Sequence, residues 1–502
     1  MKIIDCHVHP SAVENYFEEF EHFISHMRSH GISGMIASDL GDKWPAYPDS
    51  DTLRAANDRL LKMVQKYPNE LFYLVYLNPQ LDNWLEELAR HEKSACGVKL
   101  WISLRSKTDK NDLSRSVEVV KAAAERQLPV LIHCFERTDG NAGGSVGIDE
   151  IIYLAKQAPA CKIVAAHSNG NWRKLIDKAA LVPENIFFDV SGGYPERTMV
   201  RRLTDTFGSE RILYGSDAPG RAFGSQLCKV FSAGLTPQEE ANILCNNTCR
   251  IFNLPEIKFV PPKNLPKWEI PGKREDNFCF AGSSPYWDHA VTAAELVAEA
   301  DKLQVDTLYA GSLSALKCDD FLLENSRWLK ESAGYKKIKP LAAVDLSDKE
   351  RTVKQLENIA GFAGVWVSPY LHCWSLDDRI YDWFWAECAA KKINIWINCA
   401  ISDDRFRKDN LNTRVVSNDE IKAFAGFAPQ NKYVLQGVAA FADLGACLPE
   451  NFWIENSKLS DGEYLAERLL CEQAGCVQRL CRGSEYPFRE FDSGDMVLQG
   501  VI

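Results

Sequence analysis

The sequence of 502 residues contains no run of about 18 consecutive apolar residues, the length that a membrane-spanning helix needs. It also has no excess of positive charge, because 58 lysines and arginines face 69 aspartates and glutamates, for a net charge of −11. This balance argues against a nucleic-acid backbone or an anionic membrane surface as partner. The N-terminus, MKIIDCHVHP, lacks the basic region and apolar core of a signal peptide. We therefore expect a cytoplasmic protein whose partner is a small molecule.

Motifs for redox pairs and phosphate binding are also missing. The 16 cysteines form no Cys-x-x-Cys pair and are scattered through apolar segments, which favours buried free thiols in a reducing compartment. The glycine-rich segment DGNAGGSVG, residues 139–147, has neither a Gly-x-Gly-x-x-Gly pattern between strand and helix nor a Gly-Lys-Ser/Thr sequence. It predicts a loop over a site and not a phosphate cradle.

Short apolar or β-branched runs recur through the first half, separated by charged, amphipathic segments of helical length. The runs are KIIDCH, SGMIAS, LFYLVYL, CGVKLW, PVLIHC, KIVAAH, NIFFDV and RILYGS. Strands that alternate with helices predict a parallel sheet covered by helices. Eight such units in about 250 residues are typical of a TIM barrel, whose chemistry lies where the strands end. We therefore predict a TIM-type barrel over residues 1–255.

The same rhythm restarts after a proline-rich stretch, LPEIKFVPPKNLPKWEIPGKRE, which predicts a linker over residues 256–275. The matching segments are FCFAGSSP with IIDCHVHP, AGVWVS with CGVKLW, IWINCA with VLIHCF, KYVLQG with KIVAAH, NFWIEN with NIFFDV, and RLCRGSEYP with RILYGSDAP. By subtraction of residue numbers, their offsets stay between 265 and 275. We predict an internal repeat of α/β class, two tandem (β/α)8 barrels, with the second over residues 276–502.

Five potential metal ligands or proton carriers stand where predicted strands of the first half end. His7 and His9 lie two residues apart, a period that puts both imidazoles on one face of a strand. The fifth run ends at His133, the sixth at His167 and the eighth at Asp217. Three nitrogens and a carboxylate, with an open position for water, are what a catalytic zinc or similar ion needs. The pattern predicts a metal site drawn from these five residues.

The segments DCHVHP, GVKLW, LIHC, AAHSNG and YGSDAP resemble the amidohydrolase superfamily. The segment YPNELFYLVYLNPQ is similar to the branch that contains aminocarboxymuconate-semialdehyde decarboxylase, resorcylate decarboxylases and pyrone-dicarboxylate lactonase. The resemblance spans residues 1 to about 255. It implies that His7, His9, His133 and Asp217 hold one divalent ion, zinc or alternatively manganese, and that His167 is the catalytic proton shuttle. Asp217 is a second catalytic candidate for taking the proton of the water.

Lys99, at the end of the fourth run, has two interpretations under this resemblance. In two-metal members of the superfamily a carbamylated lysine on this strand bridges the ions, whereas single-metal members use the position for substrate or packing. We favour one metal and Lys99 as the cationic anchor of a substrate carboxylate. An N-carboxylated bridge is the alternative.

Other polar residues near the predicted ligands are candidates for substrate binding. Arg137 follows His133, Asn169 follows His167, and Trp44 lies in the loop after the second run. Arg221 follows Asp217 by four residues, but Arg489 holds the same place in the second copy. A residue kept where the ligands are lost favours architecture over substrate contact.

The second copy lacks the predicted ligands. The residues that align with His7, His9, His133, His167, Lys99 and Asp217 are Gly282, Ser284, Asn398, Gly437, Trp366 and Glu485. One carboxylate without imidazoles cannot hold a transition metal at useful affinity, so we expect the second barrel to be empty, with aromatic residues filling its mouth. Relatives of the first barrel often work as dimers, which suggests an intramolecular pseudo-dimer. A homodimer of the chain is a further alternative.

The sequence leaves the reaction open. A metal-activated water attacks a lactone, amide or ester-like carbonyl, which gives hydrolysis. The same kind of site also protonates the carbon next to a carboxylate and releases carbon dioxide, and Lys99 or Arg137 would supply cationic help. We expect a hydrolase, with a decarboxylase as the alternative. A metal-holding binding or assembly protein without turnover is a third hypothesis of another class.

Overall fold

The computed structural model describes eleven stretches of the chain. They are residues 2–10, 16–41, 48–102, 110–138, 145–257, 274–403, 405, 411–438, 441–445, 447–458 and 477–492. The chain divides into two compact units between Lys267 and Trp268, a point inside the predicted linker. Most of that linker lies outside the described residues, and the domain boundaries themselves stay a prediction.

The first unit is built around a parallel sheet of eight strands in chain order. The strands are β1 (Ile4–Val8), β2 (Gly34–Ala37), β3 (Leu71–Leu77), β4 (Gly97–Leu100), β5 (Val130–Ile132), β6 (Ile163–Ala165), β7 (Ile186–Asp189) and β8 (Ile212–Leu213). The sheet closes on itself where Val8 bridges Ala218 in parallel and Cys6 donates its N–H to the Tyr214 carbonyl. All eight predicted strands are thereby confirmed, and the unit is a TIM-like barrel.

Helices alternate with these strands, as their charged, amphipathic sequences predict. They are α1 (Tyr16–Ser29), α2 (Ser50–Lys66), α3 (Trp84–His91), α4 (Lys110–Glu125), α5 (Ile148–Gln157), α6 (Trp172–Asp177), α7 (Met199–Phe207), α8 (Phe223–Phe231), α9 (Pro237–Ala241) and α10 (Asn247–Ile251). Side chains cap several helix starts; Asp49, for example, accepts from the Thr52 N–H at the start of α2. None of the helices among the described residues has the length and apolarity to span a bilayer.

The second unit contains a nine-stranded sheet with the order β10-β9-β11-β12-β13-β14-β15-β16-β17. Its strands are β9 (Glu275–Ser283), β10 (Ala290–Val291), β11 (Thr307–Ser312), β12 (Ile338–Val344), β13 (Gly364–Val367), β14 (Asn394–Asn398), β15 (Tyr433–Gln436), β16 (Phe452–Glu455) and β17 (Leu480–Cys481). The short β10 is antiparallel to β9, and the other neighbours pair in parallel. A parallel bridge also joins Asp276 to Arg482. A parallel sheet is therefore present in both halves of the chain.

The helices of the second unit again lie between strands. They are α11 (Ala293–Lys302), α12 (Leu313–Leu316), α13 (Phe321–Ser332), α14 (Lys349–Glu357), α15 (Pro369–His372), α16 (Asp382–Ala390), α17 (Asn418–Ala425) and α18 (Phe441–Gly445). Buried aromatic residues on β9, β13 and β14 and on the segment after β17 share one apolar cluster, which includes Phe278, Phe280, Trp366, Trp396 and Phe488. Trp366 is thus a core residue of the second unit, and the aromatic filling of a barrel mouth stays a prediction.

Backbone hydrogen bonds correct our sequence alignment of β1 with β9, the first strand of each unit. The His7 carbonyl accepts from the Asp217 N–H, and the Phe278 carbonyl accepts from the Glu485 N–H. The His9 N–H likewise donates to the Ala218 carbonyl, as the Phe280 N–H does to the Tyr486 carbonyl. The counterparts of His7 and His9 are therefore Phe278 and Phe280. Our alignment of these histidines with Gly282 and Ser284 was wrong by four residues, because it matched the apolar pattern of the segment and not its pairing.

Candidate functional site

The ends of the neighbouring strands β1 and β8 bring His7, His9 and Asp217 together. His7 lies in β1, His9 follows that strand, and Asp217 follows β8 in a left-handed conformation with φ of 65°. The two Nε2 atoms of His7 and His9 are 2.8 Å apart. Asp217 Oδ1 lies 3.9 Å from His7 Nε2 and 3.6 Å from His9 Nε2. One ligand atom from each residue thus falls within 4.8 Å of the other two.

The second nitrogen of each imidazole shows which one carries the hydrogen. His7 Nδ1 lies 2.9 Å from Asp189 Oδ2, and His9 Nδ1 lies 3.0 Å from the Ser38 carbonyl oxygen. The Asp189 carboxylate and the Ser38 carbonyl accept hydrogen bonds and cannot donate, and the Ser38 hydroxyl, 2.9 Å from His9 Nδ1, is able to accept as well. We therefore assign the hydrogen to Nδ1 in both neutral rings. The two Nε2 atoms therefore present lone pairs to each other at 2.8 Å. A cation between them would turn this repulsion into attraction.

Burial keeps these imidazoles neutral. Desolvation lowers the pKa of His7 and of His9 well below the usual value, and the nearby Lys99 ammonium lowers both further. Neutral imidazoles are the form that binds a metal ion, since a proton on the ligand atom competes with the metal. The donor set of two unprotonated nitrogens and a carboxylate fits a divalent transition ion.

His133 and His167 stand beside this group. His167 Nε2 lies 3.2 Å from His133 Nδ1, and the rings of His7 and His167 stack with centroids 5.0 Å apart. Burial lowers the pKa of His133 to about 3 and that of His167 well below its usual value. His133 is not one of the residues that share the 4.8 Å group with Asp217 among the described residues. Its place as a fourth ligand stays a prediction.

Lys99 lies inside the same site. The residue is buried in β4, and its Nζ is 3.0 Å from His7 Nε2. Burial lowers the pKa of Lys99 to about 8, against the opposing attraction of Asp217 and Asp189. The structure thus places Lys99 next to the predicted ligands.

The sequence reasoning missed Asp189 and Ser191. Asp189 ends β7, and its carboxylate accepts from His7 Nδ1, the His167 N–H and Ser191. Ser191 Oγ also lies 2.9 Å from His167 Nδ1 and 3.0 Å from His7 Nδ1. The signal in the sequence is the aspartate in NIFFDV, which ends a predicted strand of a barrel whose other strand ends bear histidines.

The other substrate-binding candidates have different surroundings. Asn169 is buried, accepts from the Ile148 N–H and donates to Glu136 and Asn171, so its amide serves the local loop structure. Arg221 donates to the carbonyls of Gly193 and Gly220, which agrees with an architectural role. Arg137 is partly exposed near the end of β5. Trp44 and most of segment 139–147 lie outside the described residues.

A model of the amidohydrolase family matches residues 4–254, which is half of the chain. The chain belongs to the amidohydrolase family. The match covers all eight strands of the first barrel and the five residues predicted as ligands or proton carriers. This amidohydrolase is accordingly a metal-dependent enzyme. No curated protein matches the chain.

Several solved structures are similar to this amidohydrolase. The 2,6-dihydroxybenzoate decarboxylase from Rhizobium is 18% identical, with 50% of this chain and 99% of that chain covered and a TM-score of 0.41. The 5-carboxyvanillate decarboxylase from Sphingomonas paucimobilis is 16% identical, with coverage of 51% and 99% and a TM-score of 0.40. The dihydroxybenzoic acid decarboxylase from Polaromonas sp. JS666, with bound manganese and an inhibitor, is 20% identical, with coverage of 50% and 97% and a TM-score of 0.40.

The carboxylate that matches Asp217 in the second unit has cationic neighbours instead of imidazoles. Glu485 is fully buried, with Arg489 Nε 2.5 Å and Lys458 Nζ 3.4 Å from its Oε2. Its Oε1 accepts from the Ser402 N–H. Since the two cations and a backbone group already occupy its oxygens, Glu485 is a poor metal ligand.

Proposed function

We propose that the first unit hydrolyses a small-molecule carbonyl compound, such as a lactone, an amide or an ester, with the help of one divalent ion. The observation that carries this proposal is the convergence of two imidazole lone pairs and the Asp217 carboxylate. We expect zinc, because nitrogen ligands with one carboxylate suit it, and manganese is the alternative.

In this proposal His7, His9 and Asp217 hold the ion, and His133 is the fourth ligand. The ion, when bound, lowers the pKa of water and polarises the substrate carbonyl. His167 is neutral and buried beside the ligands, so it is able to take a proton and return it to the leaving group. Asp217 is the second group within reach of that proton, and Lys99 binds a carboxylate of the substrate.

The test is hydrolysis of a panel of lactones, amides and esters by protein with zinc or manganese added. We expect activity that a chelator abolishes and that His167→Asn lowers by about 100-fold or more, the usual contribution of a general acid or base. Glu485→Gln, which changes the matching carboxylate of the second unit, is the control and should keep full activity. Hydrolysis that survives chelation would refute the proposal.

Decarboxylation is a second candidate, and two observations favour it. The Lys99 ammonium lies at the ligand group, where it could pair with a substrate carboxylate. The rings of Trp101 and Phe135 lie 5.1 Å from His133 and 5.7 Å from His167, respectively, and such rings suit a flat unsaturated substrate. Release of carbon dioxide from aromatic or unsaturated acids, lost in Lys99→Met, would support this reaction over hydrolysis. Bound metal without turnover on either panel would favour the binding or assembly hypothesis.

We further propose that the second unit is a second TIM-type barrel that derives from the same repeat and holds no metal. Its parallel strand order, the Phe278 and Phe280 positions and the ion pairs of Glu485 support this proposal. The expected content is one ion per chain, and the intramolecular pseudo-dimer stays a prediction.

A further inference from the structure

Asp189 connects β7 to several groups of the site. Its Oδ1 accepts from the backbone N–H of His167 at 2.9 Å, the N–H of Ser191 at 2.9 Å and the Ser191 hydroxyl at 2.5 Å. Its Oδ2 faces His7 Nδ1 at 2.9 Å. One carboxylate therefore contacts two elements of the predicted machinery, the His7 ring and the backbone of His167.

The direction of each hydrogen follows from these contacts. The short bond from Ser191 to a carboxylate oxygen indicates that the hydroxyl donates to Asp189. Since the hydroxyl has only one hydrogen, its oxygen accepts from His167 Nδ1 at 2.9 Å. His167 then bears its hydrogen on Nδ1 and a lone pair on Nε2. His7 also bears its hydrogen on Nδ1, which faces Asp189 and Ser191.

The hydrogen position of His133 follows from that of His167. His167 Nε2, which has the lone pair, lies 3.2 Å from His133 Nδ1. His133 Nδ1 must therefore donate, which leaves the lone pair of His133 on Nε2. Two of the three imidazoles predicted as ligands, His7 and His133, thus take their hydrogen position from Asp189.

The segment that carries Ser191 is held in place against the His167 ring. Lys229, buried in α8, donates to the carbonyls of Val190 and Gly192 at 2.8 Å each. Gly192 has φ of 67°, and a Cβ there would come within 2.5 Å of His167 Nδ1. Because the backbone passes so close to the ring, the serine and the imidazole have little freedom to move apart.

The second unit has a carboxylate, Glu455, with backbone and serine contacts that match those of Asp189. Glu455 ends β16, and it accepts from the Gly437 N–H at 2.7 Å and from the Ser457 N–H at 2.6 Å and hydroxyl at 2.9 Å. Bonds from the carboxylate to backbone and serine are therefore part of the architecture in both units. Asp189 and Ser191 also contact the Nδ1 atoms of His7 and His167, whereas Glu455, among the described residues, contacts no imidazole. This difference provides an internal control.

We propose that Asp189 and Ser191 are positioning residues that fix the Nδ1–H tautomers of His7, His167 and His133, so that Nε2 of the ligands faces the ion. The inference rests on the proposed metal site. In metal sites generally, partners that orient a ligand from behind change the metal affinity by about 10- to 100-fold when they are removed.

Asp189→Asn tests the proposed role of Asp189 most directly. Its Oδ1 can keep the three bonds from His167 and Ser191, while its amide nitrogen would face His7 Nδ1 as a second donor. His7 would then have to move its hydrogen to Nε2, the ligand atom. We expect zinc affinity, measured by competition with a chromogenic chelator, to fall by about 10- to 100-fold.

Ser191→Ala removes only the hydroxyl, and Ser191→Thr restores it. We expect the alanine variant to lose about 10-fold in zinc affinity and the threonine variant to recover it. Ser457→Ala removes the matching hydroxyl of the second unit and should leave zinc affinity unchanged. If Ser191→Ala and Ser457→Ala bind zinc as tightly as the wild type, the hydroxyl has no positioning role and the inference is overturned.

The tautomers themselves are measurable without metal. Long-range ¹H–¹⁵N spectra of metal-free protein labelled at histidine distinguish Nδ1–H from Nε2–H rings, and we expect Nδ1–H for His7, His133 and His167. An Nε2–H form of His7 or His167 in the wild type would overturn the inference. Should the wild type bind no zinc, the proposed function fails, and these spectra alone still decide whether Asp189 and Ser191 set the tautomers.

Discussion

The buried ammonium of Lys229 links pH to the stability of the first unit. Desolvation lowers the pKa of Lys229 to about 7 from 10.5, with Arg221 adding to the effect. Between these values the unfolded chain binds a proton that the folded chain does not, so stability rises with pH in this window. Relative to Lys229→Met, the wild type should gain about 2 kcal/mol in unfolding free energy between about pH 6.5 and about pH 9.

Urea unfolding at the two pH values measures this gain. Lys156→Met, which replaces an exposed lysine on α5, is the control and should show no such change relative to the wild type. If the difference in unfolding free energy between the wild type and Lys229→Met does not depend on pH, the pKa of Lys229 is not lowered.

Two matched aspartates have different electrostatic environments. Asp5 Oδ1 accepts from the N–H groups of His7 and Ser216, and Asp276 Oδ1 accepts from those of Phe278 and Ser484. Only Asp276 also has an arginine partner, Arg482, with Nη1 at 2.6 Å from Oδ2. Burial raises the pKa of Asp5 to about 7, so its carboxyl is easily neutralised.

Substitution by asparagine should therefore cost much more stability at Asp276 than at Asp5. Asp276→Asn leaves a buried guanidinium without its carboxylate, for which we expect a loss of about 3 kcal/mol. Asp5→Asn keeps both backbone bonds and should cost about 1 kcal/mol. Thermal and urea unfolding of the two variants measure the difference, and equal losses would refute the assigned role of Arg482.

The sequence predicts which residues meet in the site but not how each side chain is oriented there. His7, His9, Lys99 and Asp217 could be placed in one site because the ends of parallel strands meet at one rim of a barrel. Which imidazole nitrogen faces the site could not be predicted, because that depends on partners distant in the sequence, such as Asp189, 182 residues after His7.

At the level of elements, β4 and β13 each begin with a glycine that lies against the next strand. A Cβ at Gly97 would come within 2.7 Å of the Pro129 carbonyl oxygen and 2.9 Å of Leu74 Cδ2. A Cβ at Gly364 would collide with the Asn394 carbonyl and lie 2.6 Å from Trp396 Cζ3. Both glycines therefore allow adjacent strands to approach.

Alanine at either glycine should force the strands apart, at a cost of about 1 to 3 kcal/mol. We expect Gly364→Ala to be the worse, since its new methyl group would meet both backbone and a buried tryptophan. Gly334→Ala is the control and should be close to neutral, because a Cβ there would lie 3.9 Å from the Glu331 carbonyl oxygen. Equal melting temperatures for all three variants would contradict the packing described here.

The strands themselves were predictable, but the register of β9 was not. Apolar periodicity identified all eight strands of the first barrel and six segments of the second unit. The motif FCF in β9 resembles several stretches of alternating residues. Hydrophobicity alone therefore allowed β9 to be aligned with β1 four residues away from its true register. Pairing with the segment after β17, through Phe278 with Glu485 and Phe280 with Tyr486, fixed the true register.

At the level of the whole molecule, the chain combines one unit with a candidate metal-ligand set and a second unit in which the described strands have other residues at the matching positions. Phe278 and Phe280 stand where the first unit has His7 and His9, and Glu485 is paired with Arg489 and Lys458. The near-constant offset of six segments predicts a repeat, and that repeat stays a proposal. The use of Glu485 in an ion cluster could not be predicted, since Lys458 and Ser402 come from other parts of the chain.

The metal content of the purified chain, measured by elemental analysis, tests the central claim most directly. We predict about one zinc or manganese ion per chain in the wild type, none in the His7→Ala/His9→Ala double variant, and an unchanged content in Glu485→Gln. A double variant that keeps its ion would contradict the proposed site. Two ions per chain would favour a carbamylated Lys99 bridge or a second site, and a wild type without bound metal after incubation with zinc or manganese would contradict the account as a whole.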